Sequence, residues 1–391
     1  MLKGIKIKLN PTKEQELLFW KSAGIARWAY NYHLGRNKEN YENGGKYLKD
    51  TVTRKEITQL KKTDEYKWLN EVGSNVIKQA IKDCDKAFKD FFNKKKGYPK
   101  FKSKRKDRPS FYVNYESLSK KKKGFYGEKI GYVRTREPLP NIPNSTHYSN
   151  PHISYDGKYW YLTVGYEVKE ENEKLTKESL GIDLGIKELA ICSSNKRYKN
   201  INKTKRVKQL KKKLKRTQRK LSRQIEANIE NYYEYKDEQG HNCRKPNFKK
   251  PLKECKNIEK TKKEIKLINR KLNNIRTNYL HQTTSEIVKT KPYRIVLEDL
   301  QVKNMMKNRH LAKAIAEQKF YEFRRQIEYK SKLYGIAVVI VDKFYPSSKT
   351  CSCCGHIKKD LKLKDRTYVC SNCGLVIDRD FNASLNLANY I

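Results

Sequence analysis

The spacing of hydrophobic positions changes period several times along the chain. Residues 2 to 9 alternate, with Lys3, Ile5, Ile7 and Leu9 on one side and Leu2, Gly4, Lys6 and Lys8 on the other, which predicts a single strand. Pro11 then leads to Thr12, with Gln15 three residues on, the signature of a capping-box helix start. Leu17, Leu18, Ile25, Trp28 and Ala29 follow in near-helical register. A second helical stretch is predicted over Lys55 to Phe92, carrying Leu60, Trp68, Leu69, Val76, Ile77, Ile81 and Phe88. From Ser110 to Val168 the pattern turns to strands. Phe111, Tyr112, Val113 and Tyr115 begin one, and Ile153 to Val168 predicts a hairpin turning at Asp156-Gly157, with Trp160, Leu162 and Val164 on one face. Lys120 to Lys123 and Pro138 to Pro143 are expected to be connecting loops. A small β-barrel that recruits residues 2 to 9 as a strand accounts for this part of the pattern.

A third regime begins at Leu180. Leu180 to Ile186 is an apolar strand interrupted by one carboxylate, Asp183, and Glu188 to Cys192 continues it after a turn. Lys205 to Ile225 predicts a helix with Val207, Leu210, Leu214, Leu221 and Ile225 on a narrow stripe. Ile258 to Ile287 mirrors it, so the two should pair antiparallel, joined by a polar loop from Asn231 to Pro251. Tyr293 to Leu300 is a second buried strand ending in acid, Leu311 to Leu333 a helix, Ala337 to Val341 a third apolar strand, and Asp380 to Tyr390 a final helix. Strands alternating with helices predict a mixed α/β sheet.

Charge narrows the possible partners. The 391 residues carry 89 Lys and Arg against 43 Asp and Glu, a formal net charge of +46, and the length predicts two to four domains. A compact body so charged repels itself unless a polyanion neutralises it. The cations are spread along the chain, which predicts an extended nucleic-acid footprint. Between 211 and 220, Lys211, Lys212, Lys213, Lys215, Arg216, Arg219 and Lys220 form a rail that exceeds what solubility needs. Gly97 to Lys104 interleaves Tyr98 and Phe101 with lysines, a composition suited to a phosphate backbone. No apolar run approaches the roughly 18 residues of a spanning helix, and Met1 to Leu9 lacks the apolar core of a secretory leader. Nine Cys, five of them near the C-terminus, predict thiols and metal ligands in a reducing cytosol.

Two groups of residues carry chemistry. Cys351-Ser352-Cys353-Cys354-Gly355 and Cys370-Ser371-Asn372-Cys373-Gly374 are two C-x-x-C-Gly turns at the spacing of a tetrathiolate zinc ribbon. Cys351, Cys354, Cys370 and Cys373 are the expected ligands, with Cys353 a bystander. The second group is acidic: Asp183, Glu298 and Asp380 each end a strand or start a helix. A carboxylate among Ile and Leu is costly unless a cation or hydrogen bonds compensate, and a hard cation such as Mg²⁺ takes carboxylate oxygens. Taken singly, Asp183 serves equally as a strand-end hydrogen bonder and Asp380 as a helix cap, and Asp299 or Asp378 can share the role. Together, three acids separated by basic helices predict a divalent-metal site for phosphodiester hydrolysis.

These residues bring a resemblance with them. Asn10 to Gln15, Gly97 to Ser103, Gly181-Ile182-Asp183-Leu184-Gly185, Leu297-Glu298-Asp299-Leu300, Pro346 to Cys351 and Asp378-Arg379-Asp380-Phe381-Asn382-Ala383 resemble the motifs of the TnpB family. Its members are RNA-guided nucleases of bacterial insertion sequences, related to compact type V CRISPR effectors. The resemblance implies a wedge β-barrel (1–10 and 108–175), a helical recognition domain (11–107), a RuvC-like nuclease domain of RNase H fold (176–350 and 374–391) and an inserted zinc ribbon (351–373). It further implies Asp183, Glu298 and Asp380 as catalytic acids holding two Mg²⁺, the four cysteines as zinc ligands, and a guide RNA from the transposon end. Target double-stranded DNA would be cut beside a short adjacent motif, by a monomer in the bacterial cytoplasm at the nucleoid. A transposase-like strand-transfer enzyme and a nuclease-dead RNA-guided repressor are the competing readings.

Overall fold

The computed structural model of the chain describes residues 2–118, 123–142, 147–168, 174–237, 240–342, 344–362 and 365–390. Lys120 to Lys122 and Pro143, within two of the loops expected from the sequence, lie outside them. The chain divides into two compact units, Met1–Val168 and Lys169–Ile391.

The first unit opens with β1 (Leu2–Asn10) and runs into α1 (Lys13–Glu42), α2 (Asp50–Leu60), α3 (Ser74–Phe92), β2 (Ser110–Tyr112), β3 (Gly124–Gly127), β4 (Gly131–Thr135), β5 (Ser149–Tyr155) and β6 (Trp160–Glu167). The strands form one antiparallel sheet in the order β2-β5-β6-β1-β4-β3. Strand β1 lies between β6 and β4, as the alternation at 2 to 9 anticipates. The capping box is present: Thr12 Oγ1 accepts from the Gln15 amide and Gln15 Oε1 accepts from the Thr12 amide. Gln15 also donates to the Tyr132 carbonyl at 2.9 Å, so the residue that starts α1 also ties it to the sheet. Ile7, Phe19, Phe111, Leu162 and Val164 are buried in the shared core, each worth about 1.5–3 kcal/mol of burial. The Phe19 ring meets Trp160 edge-on at 5.2 Å.

One expectation fails here. Lys55 to Phe92 is not a continuous helix: α2 ends at Leu60, a 3₁₀ turn spans Asp64–Glu71, and α3 begins after Gly73. Gly73 is extended (φ −60°, ψ 140°) and serves as the N-cap, while fully buried Leu69 anchors the tight turn. Tertiary anchoring there overrides the helical period.

The second unit begins with β7 (Ser179–Leu184), β8 (Glu188–Cys192) and β9 (Arg197–Lys199), followed by α4 (Lys205–Glu226), β10 (Ile229–Lys236), β11 (Asn242–Phe248) and α5 (Lys256–Lys289). It continues through β12 (Arg294–Glu298), α6 (Val302–Met305), α7 (Ala312–Gln318), α8 (Phe320–Leu333), β13 (Ala337–Val341), β14 (Thr367–Val369), β15 (Val376–Asp378) and α9 (Arg379–Ala388). A mixed five-stranded sheet has the order β13-β12-β7-β8-β9. Strands β7, β12 and β13 are parallel, whereas β8 and β9 add antiparallel. Val207 of α4 packs with Ile268 and Leu272 of α5, as their facing stripes predict.

Two further expectations are corrected. The predicted loop between α4 and α5 contains a β-hairpin, β10 against β11, with Tyr233 opposite Lys245. The predicted helix from Leu311 to Leu333 breaks at Lys319, which is left-handed (φ 57°). Lys319 Nζ is held there by Asn273 Oδ1 at 2.7 Å and Thr277 Oγ1 at 3.0 Å, and its neighbour Gln318 donates to the Gly185 carbonyl at 3.0 Å. Those contacts outweigh the cost of a left-handed lysine.

Candidate active site and metal centre

Asp183 stands near the C-terminal end of β7 and Glu298 closes β12. In the parallel register Ile182 pairs with Leu297. The next residue on each strand is an acid, so both carboxylates emerge on the same face at the same level. The third acid arrives on α9. Asp378 caps that helix by accepting from the Phe381 amide at 2.9 Å, which leaves Asp380 in the first turn, where the helix dipole favours an anion. Helix α9 lies directly on β7 because residue 181 is glycine. A Cβ there would come within 2.1 Å of the Ser384 carbonyl oxygen and 2.3 Å of the Ala388 nitrogen.

The electrostatics record the convergence. Asp183 keeps some exposure, yet protein crowds its carboxyl; that desolvation, then the charges of Asp380 and Glu298, push its pKa up to about 8. Glu298 is also raised, by burial first and by Asp299 second. Asp380 is ion-paired to Arg379 at 2.7 Å and more loosely to Arg366 at 3.7 Å. Asp378 faces Arg197 at 3.6 Å, and Asp299 is held by Arg324 at 2.9 Å. The acids stand apart somewhat: among the described residues, only one set of three or more His, Cys, Asp or Glu donors lies wholly within 4.8 Å, and it is the cysteines. A hard-oxygen cluster in which the charges of Asp380 and Glu298 add to the burial that raises Asp183 fits a divalent cation, which would relieve that repulsion.

The cysteine set is compact. Cys351, Cys354, Cys370 and Cys373 bring their sulfurs within 4.8 Å of one another, with the Cys351–Cys373 and Cys354–Cys370 pairs at 3.6 Å. The amides of Asn372 and Cys373 point at the Cys370 sulfur at 3.4 and 3.5 Å. The Asn372 side chain donates to the Cys354 sulfur, and this contact, with others, lowers the Cys354 pKa to about 6. Gly355 and Gly374 supply the left-handed residue (φ 75° and 74°) that each turn needs. Cys353 is exposed and outside the cluster. Four thiols so arranged fit a tetrahedral soft-ligand metal such as zinc.

Residues 163–309 match the family model described as "Probable transposase", residues 320–387 the one described as "Cas12f1-like, TNB domain", and residues 1–46 a "Helix-turn-helix domain". A Streptomyces pristinaespiralis protein named "Putative RNA-guided DNA endonuclease" is 27% identical over 98% of this chain and 88% of its own length. An Escherichia coli K12 protein named "Putative RNA-guided DNA endonuclease InsQ" is 28% identical over 99% of this chain and 91% of its own. The chain is thus similar along nearly its whole length to proteins named as RNA-guided DNA endonucleases, and over a shorter stretch to a mimivirus protein named "TnpB-like protein L79". Its fold is shared with a chain in the cryo-EM structure of a Cas12f1–sgRNA–target DNA complex, with a TM-score of 0.58 at 15% identity, over 100% of this chain and 99% of that one.

Several residues around the acids had no sequence argument of their own. Asn386, buried on α9, donates to the carbonyls of Ser347 and Thr350, both at 2.7 Å. Asn382, one turn earlier and fully buried, donates to Thr350 O and accepts from the Ser352 amide. Together they fasten the first cysteine turn to the helix that carries Asp380. The signal was legible: two asparagines four apart on an otherwise apolar helix face require partners.

Proposed function

We propose that this chain is an RNA-guided, Mg²⁺-dependent DNA endonuclease of a transposable element, cutting double-stranded DNA beside a short target-adjacent motif. The observation that carries the reading is the convergence of Asp183, Glu298 and Asp380 at one end of the mixed sheet, where burial first and then the charges of Asp380 and Glu298 push the Asp183 pKa up to about 8. The names of the two full-length relatives support it.

In this reading 176–350 and 374–391 form a RuvC-like nuclease of RNase H fold, the strand order β13-β12-β7-β8-β9 supporting it. Residues 1–10 and 108–175 are the wedge barrel, 11–107 the recognition helices, and 351–373 a ribbon whose cysteines hold structural zinc. Asp183, Glu298 and Asp380 are the ligands for two Mg²⁺. Bound there, such a pair would supply an activated water on one side of the phosphodiester and stabilisation of the leaving 3′-oxygen on the other. Asp183, raised by burial and its neighbours, would hold its proton until a cation took its place. Asp380 is oriented by the helix start and by Arg379. The cations of α4 track the phosphates of a guide–target heteroduplex, held by its backbone while base pairing reads the sequence. The protein acts as a monomer at the bacterial nucleoid; among the described residues no helix is long and apolar enough to cross a membrane.

The deciding experiment sequences the RNA that co-purifies with the protein, then assays that complex on a target flanked by randomised sequence. Cleavage beside one short motif, abolished by RNase treatment, is the expected result. RNA-independent cutting at transposon ends would instead establish a strand-transfer enzyme, and RNA-dependent binding without cutting a repressor.

A further inference from the structure

In the first unit, α1, the turn after it and α3 enclose a cavity of about 580 Å³ that the proposed nuclease does not use. Its walls are aromatic: Tyr47, Phe88, Phe91, Phe92 and Tyr98. The rings meet mostly edge-on, Tyr47 with Phe92 at 5.4 Å and Phe91 with Tyr98 at 5.3 Å, so they surround an opening rather than fill it. Phe88 is buried beneath, but Phe92 and Tyr98 remain 56% and 49% exposed at the mouth. Large apolar rings left open to water mark a binding surface more often than a core.

Charge decides what enters. Lys46 lines the cleft itself, and in the sequence Phe92 is followed by Lys94 and Lys95, with Lys100 just beyond Tyr98. The acids nearby are already matched: Asp85 takes the Tyr47 hydroxyl at 2.7 Å and Lys89 at 2.8 Å, and Asp90 is paired with Lys96 at 2.7 Å. An occupant must therefore be flat and aromatic at one end and anionic at the other. An unpaired nucleotide has that form, its base between rings and its phosphate toward the lysines. We infer that this cleft captures an unstacked base of the bound RNA. RNA is favoured over DNA because folded RNA offers loops, bulges and ends whose bases splay onto aromatic side chains before any target is bound, whereas DNA offers unpaired bases only after its strands are separated. The inference rests on the RNA-binding reading above.

The test uses the full-length protein and its co-purifying RNA, remade by transcription. Phe92→Ala and Tyr98→Ala, both at exposed positions, should each weaken that RNA's binding about tenfold, the scale of one lost base–aromatic stack. The salt slope should not change, since no phosphate contact is removed. Tyr98→Phe should retain wild-type affinity, and circular dichroism should show all variants folded. With 5-iodouridine at unpaired positions, irradiation should crosslink a peptide within 88–98. Unchanged affinity in both alanine variants would overturn the inference while guided cleavage by the wild type left the nuclease reading intact. Crosslinking by iodouracil-substituted DNA alone, or to an aromatic peptide ligand alone, would overturn it equally. Failure of the wild type to bind any RNA would overturn both.

Discussion

The Ser179 hydroxyl donates to the Ala388 carbonyl at 2.7 Å, joining the start of β7 to the end of α9. Arg294 reinforces the joint, donating to Ser179 Oγ at 2.8 Å and to the same carbonyl at 3.1 Å. From that joint the strand advances four residues to Asp183, about 13 Å at strand rise. The helix runs back eight residues to Asp380, about 12 Å at helical rise. Two different periods thus bring two carboxylates level at the far end, provided that the helix lies flat on the strand between.

Gly181 is that provision. Gly181→Ala places a methyl group against the helix backbone at Ser384 and Ala388, and neither is a flexible side chain that can move aside. Overpacking of this kind costs about 1–3 kcal/mol or more. Urea unfolding should show that loss, with cleavage reduced further because Asp380 shifts from Asp183. Gly4→Ala, where a Cβ meets nothing within 4 Å, should be neutral in both assays. Equal effects from the two substitutions would show that close approach at 181 does not align the site.

Asp183→Asn should reduce guided cleavage by about a thousandfold or more, as removal of a member of a concerted catalytic group does, and leave RNA binding intact. Its stability effect has a definite sign. Asp183 titrates near 3.8 when unfolded and at about 8 when folded. Between those values the folded chain binds the extra proton, so its contribution is favourable below pH 4 and is lost as pH rises toward 8. In magnesium-free buffer the Asn variant should therefore melt above the wild type at pH 8, with the gap closing toward pH 4. A gap independent of pH would mean that Asp183 is not pressed by its neighbours.

Much of this was legible in the sequence because the relevant signals were local. The capping box at Thr12 and Gln15, the turn at Asp156-Gly157 and the two cysteine turns each depend on a few adjacent residues, and each formed. The failures have a common physical cause. Lys319 adopts a left-handed conformation only because Asn273 and Thr277, more than forty residues earlier, hold its amine. The β10–β11 hairpin has both faces largely exposed, so its tyrosines gave no hydrophobic alternation to read. The acids were visible as strand ends and a helix start, but their common level follows from Gly181 and the Ser179–Ala388 joint, which link residues some two hundred positions apart.

The cysteine cluster predicts a stoichiometry. Purified protein should contain one zinc per chain by elemental analysis. Cys353→Ser should retain it, because Cys353 is exposed and outside the set. Cys354→Ser should lose it and expose 351–373 to limited proteolysis, since a structural zinc supplies the folding energy of so small a unit. Retention of a full equivalent of zinc by Cys354→Ser would rule out the tetrathiolate.

Asn386 distinguishes the ribbon's metal from its attachment. Its amide donates to Ser347 and Thr350 in a buried setting, and Asn382 donates to the same Thr350 carbonyl. Asn386→Ala leaves the buried Ser347 carbonyl without that donor, a cost of about 1–3 kcal/mol, while every sulfur stays in place. Zinc content should therefore match wild type. Cleavage should fall, because the first cysteine turn is no longer fastened to the helix that presents Asp380. The paired measurement is elemental analysis and guided cleavage on the same preparation. Loss of zinc together with activity would place Asn386 in the ribbon's own folding, whereas loss of activity alone makes it the link by which the ribbon steadies the acid.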